Sequence, residues 1–256
     1  MKTHKAFSLA KKIISSPTAF WRYGMHYLKL YRYNDLLQFA NEEATDKGMP
    51  GHGYVRVYDA FLRSRRESIS YLCEVGLVKR RLRKASLDED HLIAPSLRMW
   101  RKYLPNTYIV GFDVRKFGDL GDPKCVTIQG DQSSRDDLQK IVDHHDGYEV
   151  IIDDALHASA HQQITFSYLF PHLTSGGIYC IEDLRSQPAE FERDDVPKTL
   201  EVLQRFAASG VWSSPLSTLE EKRTLEQQIK EIHFFESVGS ANPREGANAL
   251  AVIVKK

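Results

Sequence analysis

The chain has 256 residues, 42% of them hydrophobic, enough to bury one large core without a second full domain. Lysine plus arginine, at 35, nearly cancels aspartate plus glutamate, at 34, and this balance argues against nucleic acid as the main partner. Three cysteines, Cys73, Cys125 and Cys180, sit in or beside apolar strand-like runs with no metal-type spacing, so they read as buried thiols in a reducing compartment, not a disulfide framework.

The first forty residues mix lysines with Phe7, Ile13, Ile14, Phe20, Trp21, Tyr27 and Tyr31, and no apolar stretch there is long enough to span a bilayer. There is no compact apolar core with a small-residue cleavage site, which favours a cytoplasmic location. Residues 1–45 are expected to form an N-terminal helical extension, packed on the main domain of residues 46–256. Contact with a membrane surface or a second subunit stays open for it. From about residue 68, strand-like and helix-like segments alternate, the pattern of a parallel sheet wrapped by helices. Strands are expected at 69–75, 108–114, 125–129, 149–153 and 178–181. A helix starts at Pro95 and runs to Leu104, with Leu97, Trp100, Tyr103 and Leu104 at helical spacing. Ser134 with Asp137 resembles a capping box that opens the next helix. A further helix is expected over 158–173, closing at Thr174-Ser175-Gly176-Gly177. After a polar stretch, 186–231, read as helical with a long loop, runs at 232–238 and 249–254 look like a closing hairpin.

Two of these strands open abruptly into carboxylates: Ile151-Ile152-Asp153-Asp154, followed by His157, and Cys180-Ile181-Glu182-Asp183. If the two tips are neighbours, their carboxylates and His157 converge on one pocket that suits a magnesium ion and a general base. Ligands of such sheets bind beyond the carboxyl ends of the strands. Glu74 and Gly76 end the first strand there, the glycine allowing a close backbone approach. Asp113 ends the second, placed like the acidic residues that accept from ribose hydroxyls. His157 and His161, four apart, could form a zinc pair, but no third ligand is placed to complete it. Trp100 and Tyr103 read as core.

These stretches together resemble a class I S-adenosylmethionine-dependent methyltransferase, and more narrowly the magnesium-dependent sugar O-methyltransferases of the mycinamicin and macrolide tailoring type. The likeness is carried by Asp46-Lys47-Gly48 with His52-Gly53-Tyr54, Glu74-Val75-Gly76, Ser96-Leu97-Arg98-Met99-Trp100, Gly111-Phe112-Asp113, Gln129-Gly130-Asp131-Gln132, Ile152-Asp153-Asp154 with His157, and Ile181-Glu182-Asp183-Leu184. It implies a Rossmann-like seven-stranded α/β sheet with the last strand antiparallel, and makes 46–256 the methyltransferase domain. It implies S-adenosyl-L-methionine and Mg as cofactors, with Asp154, Glu182 and Asp183 on the metal and His157, with Asp154, as the catalytic pair. Glu74, Gly76, Asp113, Asp131, Gln132, Asp153 and Tyr54 would line the cofactor. The substrate would be a sugar hydroxyl on a small molecule or glycolipid, with homo-oligomers expected.

After Gly76 the sequence departs from the family pattern. Leu77-Val78-Lys79-Arg80-Arg81-Leu82-Arg83-Lys84 supplies no second glycine and five cations, which would suit an anionic substrate or a solvated charge run. A methyltransferase-like scaffold with weakened cofactor binding is therefore the alternative to an active enzyme. A nicotinamide enzyme is disfavoured because the multi-glycine fingerprint is missing.

Overall fold

A computed structural model describes residues 35–49, 51–77, 94–239 and 246–256. The basic run at 79–84 and most of the N-terminal extension lie outside the described residues. Seven strands form one sheet: β1 (Tyr71–Val75), β2 (Tyr108–Asp113), β3 (Cys125–Gln129), β4 (Tyr148–Asp153), β5 (Leu173–Ile181), β6 (Ile229–Phe235) and β7 (Leu250–Lys255). Their spatial order is β3-β2-β1-β4-β5-β7-β6. Strands β1 to β5 pair in parallel, whereas β7 inserts antiparallel between β5 and β6. The seven-stranded sheet and its antiparallel last strand are those that the resemblance implies, and β4 and β5 are neighbours.

Helices cover both faces. On one lie α1 (Asp35–Glu42), α2 (Val55–Leu62) and α3 (Pro95–Tyr103), which bury Leu36, Tyr58, Leu97 and Trp100 against Leu72, Val150, Ile152 and Cys180. On the other lie α4 (Arg135–His144), α5 (Ser159–Leu169), α6 (Thr199–Ser209) and α7 (Leu219–Gln228), which bury Leu138, Phe166, Leu203 and Leu225 against Cys73, Ile151, Tyr179 and Ile253. Fully burying each large apolar side chain contributes about 1.5–3 kcal/mol, so the two layers hold the sheet from both sides. Among the described residues no helix is long and apolar enough to cross a membrane.

The two-residue side-chain period of the strands decides what each tip can do. Glu74 shares its face with Leu72, and Glu182 shares its face with Ile178 and Cys180, so both point toward α1–α3. Asp153 follows Ile151 onto the opposite face, toward α5. The register aligns the ends, since Val75 pairs with Asp153 and Asp153 with Ile181.

Several boundaries differ from the sequence reading: β1 starts at Tyr71 rather than residue 69, and β6 runs over Ile229–Phe235 rather than 232–238. Helix α5 stops at Leu169, a short 3-10 turn covers Phe170–His172, and Thr174 to Gly177 belong to β5 instead of capping the helix. Pro171 has no N–H to continue the helical ladder, and Lys255 Nζ takes up the Pro171 and Leu173 carbonyls at 2.6 Å each. Ser134 does cap α4, its Oγ accepting from the Asp137 amide at 3.3 Å, but the Asp137 carboxylate accepts from the Asp131 amide rather than closing a box. The reciprocal capping box stands at Thr218 and Glu221, at the start of α7.

Candidate active site

The loop between α1 and α2 folds over the tips of β1, β4 and β5 and places one lysine among them. Lys47 is fully buried, and its Nζ contacts Glu74 at 3.1 Å, Glu182 at 2.8 Å and Asp154. The backbone around it is pinned: the Lys47 amide donates to Thr45 Oγ1 and its carbonyl accepts from Val55. Burial opposes the ammonium charge, yet Asp154, Glu182 and Glu74 together outweigh it and hold Lys47 well above the ordinary lysine value. The same burial raises the carboxyls of Glu74, Asp154 and Glu182, with Lys47 opposing the rise in each. Removing one partner from such a buried cluster costs about 3–5 kcal/mol, so the loop is fastened firmly to the sheet.

Helix α2 adds two tyrosines. Tyr54, at its N-cap, and Tyr58 lie four apart, which puts both on one helical face. Tyr58 donates its hydroxyl to Glu182, and Tyr54 donates to Asp183 Oδ1 at 2.8 Å. Trp100 of α3 packs edge-on against Tyr58 and donates Nε1 to Glu74 Oε2 at 3.1 Å. Glu74 and Glu182 are thereby consumed from behind by lysine, tyrosine and tryptophan.

Asp154, His157 and Asp183 face outward. One ligand atom from each comes within 4.8 Å of the others, and all three line a cavity of about 290 Å³ with Thr45, Asp46, His52, Gly76, Ser96 and Ser186. That volume lies just below the usual range for small-molecule sites, about 300–1,000 Å³. His157 Nε2 sits 3.7 Å from Asp183 Oδ2, and His52 Nδ1 sits 3.6 Å from Asp183 Oδ1. His52 is held by Ser237 Oγ at 3.0 Å and stacks on Tyr54. Gly76 forms the cavity floor. Its φ is +94°, and a Cβ there would stand 2.3 Å from Ala155 Cα, so only glycine lets the β1 tip pass under the β4 tip. Two outward carboxylates with hard oxygen donors and room for waters fit a magnesium ion, which commonly uses one or two protein carboxylates and keeps much of its water.

No protein-family model matches the chain. Mycinamicin VI 2''-O-methyltransferase of Micromonospora griseorubida is 30% identical over 153 residues, 60% of this chain and 37% of that protein. The tetracenomycin-C rhamnosyl 3'-O-methyltransferase of Streptomyces olivaceus is 34% identical over 154 residues, with the same coverage. The chain thus spans well under half the length of the curated relatives it matches. In three dimensions it superposes on the MycE methyltransferase from the mycinamycin pathway, solved in complex with Mg and SAH, with a TM-score of 0.67 and 24% identity over 86% of this chain and 54% of that one. The chain has the class I methyltransferase fold.

Within this methyltransferase sheet, the residues singled out from the sequence separate into three places. Gly76, Asp154, His157 and Asp183 line the cavity. Glu74, Glu182 and Tyr54 are buried one layer behind it. Asp113, Asp131, Gln132 and Asp153 surround the neighbouring strand ends. Asp113 accepts from the Leu77 and Arg115 amides at 2.8 and 2.9 Å and so shapes the turn after β1. Asp131 accepts from Ser133, and Gln132 accepts from the Leu156 amide while its buried Nε2 lacks a partner. Asp153 is fully buried, and burial pushes its carboxyl up to about 7, opposed only in part by a hydrogen bond from the Ala155 backbone. Trp100 and Tyr103 are core, as read from their spacing.

Sequence reasoning gave no role to Lys47 or Tyr58, whereas His52, read with Tyr54 as lining a cofactor pocket or packing a loop, does line the cavity. The i, i+4 spacing of Tyr54 and Tyr58 was the available signal for the second; a lysine destined for the interior carries none, because burial among carboxylates is decided by distant strands.

Proposed function

We propose that this chain forms the catalytic core of an S-adenosylmethionine-dependent O-methyltransferase that methylates a sugar hydroxyl of a glycoside, glycolipid or glycosylated natural product. The observation that carries the reading is the convergence of Asp154, His157 and Asp183 on one cavity at the tips of β4 and β5. The likeness to sugar O-methyltransferases, and to MycE, whose complexes contain Mg and SAH, supports the choice of substrate and cofactor.

Asp154 and Asp183 would hold a magnesium ion at the cavity, and Glu182, one layer behind them, would add its negative charge. When bound, the ion would lower the proton affinity of a sugar hydroxyl, a poor nucleophile near neutral pH. His157 accepts the hydroxyl proton at Nε2, with Asp183 beside it to stabilise the imidazolium. Gly76 lets the cofactor's methionine portion approach the backbone, Asp113 meets its ribose, and Asp131 with Gln132 borders the adenine. Tyr54 orients Asp183. Methyl transfer to an oxygen so aligned draws much of its rate from positioning, because the sulfonium is already activated. The protein acts on a soluble or membrane-borne glycoside and assembles as a homo-oligomer.

The test is calorimetric titration with S-adenosylmethionine and its demethylated product, with magnesium and after chelation, followed by transfer of labelled methyl to a panel of glycosides. Micromolar binding and magnesium-dependent labelling of a glycoside are expected. Absence of cofactor binding under both conditions would instead make the chain a methyltransferase-like scaffold.

A further inference from the structure

We propose that Lys47 is a positioning residue that competes with the divalent cation for the acidic cup, and that its tethered charge sets how tightly the cup holds that ion. The inference rests on reading the cup as a divalent site and adds to it the built-in competitor. Three observations carry it. Lys47 is wholly enclosed, and it contacts three carboxylates drawn from three different strands, Glu74 of β1, Asp154 after β4 and Glu182 after β5. Two of those three, Asp154 and Glu182, belong to the proposed metal set. The lysine also has no short route out, since its amide and carbonyl are bonded to Thr45 and Val55 and its side chain is closed over by Tyr58 and Trp100 on the same carboxylates.

A cation held in this way does two things. It keeps the carboxylates gathered when no metal is bound, so the strand tips stay assembled instead of repelling one another. It also removes one unit of negative charge from the cup, which weakens the attraction for any further cation. The ion then depends most on the two carboxylates that face the cavity, Asp154 and Asp183, so that loss and rebinding of metal leave the α1–α2 loop in place.

The experiment measures manganese binding, by calorimetry and electron paramagnetic resonance, to the full chain and to Lys47→Met, with thermal unfolding recorded with and without manganese. The proposal expects Lys47→Met to bind manganese at least tenfold more tightly than the unaltered protein and to melt lower without metal, with the difference largely closed by manganese. A merely structural lysine would give weaker or unchanged binding. Lys47→Arg keeps the charge and is expected to stay within a few-fold of the unaltered affinity. Should Lys47→Met not fold, Lys47→Met combined with Glu74→Gln restores the local charge balance and is compared with Glu74→Gln alone, the double variant again binding at least tenfold tighter. Equal affinities in the folded variants would overturn the competition and leave the metal site standing. No manganese binding in any of them would overturn both.

Discussion

His157 Nε2 lies 3.7 Å from Asp183 Oδ2, and both residues hold left-handed backbone, at φ +65° and +53°. Such conformations in non-glycine residues cost about 1–3 kcal/mol each and persist only where surrounding contacts fix them. Here Tyr54 grips the Asp183 side chain, while the amides flanking Asp183 are bonded on both sides, Glu182 to the Asp153 carbonyl and Leu184 to the Ala249 carbonyl. Two of the four left-handed non-glycine positions among the described residues, the others being Ala44 and Asn248, thus carry side chains that line the cavity.

Replacing His157 by asparagine tests the imidazole without disturbing this backbone, since asparagine accepts left-handed φ readily. His157→Asn is expected to keep its melting temperature and its affinity for the demethylated cofactor within about twofold, while turnover falls by about 10²–10⁴ as for loss of a general base. Turnover near the unaltered rate would remove His157 from the proton path.

Tyr54→Phe deletes the hydroxyl that orients Asp183 and leaves a partly buried carboxylate oxygen short of a donor. A hydrogen bond to a charged group contributes about 1.5–3 kcal/mol, so thermal unfolding should register a loss of that order. Turnover should fall while affinity for the demethylated cofactor is kept, because the ring is buried behind the cavity rather than lining it. The reverse pattern, weakened cofactor binding with turnover intact, would make Tyr54 a cofactor contact.

The sheet was legible because each strand is a short apolar run with its own turn signals, and the site because its carboxylates come in pairs at strand ends. Parity within each pair was legible in principle as well: alternate residues must part company, which sends Glu74 and Glu182 to one face and Asp153 to the other. What the sequence did not disclose was the company each carboxylate keeps. Lys47 stands 107 residues from Asp154 and 135 from Glu182, a separation at which no periodicity survives. The end of α5 was misplaced for a nearer reason, because Gly176-Gly177 looks like a helix stop although Pro171 had already ended the helix.

His161 carries a pH dependence separate from catalysis. Burial holds its imidazole below the ordinary histidine value, with Asp131 and Glu192 opposing that shift only in part. The folded state therefore binds this proton less readily than the unfolded chain. The stability it confers is complete above the unfolded value of about 6.5 and is lost as pH falls below it toward the folded value. Melting temperatures of the unaltered protein and His161→Gln, compared from pH 7.5 to 5, should show the unaltered protein falling more steeply. Parallel curves would mean that His161 protonates equally well in both states.

Gly76→Ala is expected to be strongly destabilising. A Cβ at this position would meet Ala155 Cα at 2.3 Å, the Asp154 carbonyl at 2.4 Å and the Ala155 amide at 2.5 Å, all of them backbone and none able to swing aside. Alanine must in addition adopt φ +94°. Overpacking costs about 1–3 kcal/mol and an incompatible φ adds more than about 1 kcal/mol, which for a domain of this size lowers the melting temperature by about 5–15 °C. Because Asp154 donates its amide to Val75 at the same crossing, relief of the clash must push the Asp154 tip away from Asp183, and manganese affinity should fall along with stability. Gly118→Ala is the matched control, with no atom within 4 Å of its added carbon, and should melt within about 0.5 kcal/mol of the unaltered protein. If the two alanine variants melt alike, the close crossing of β1 under the β4 tip is not what Gly76 is for.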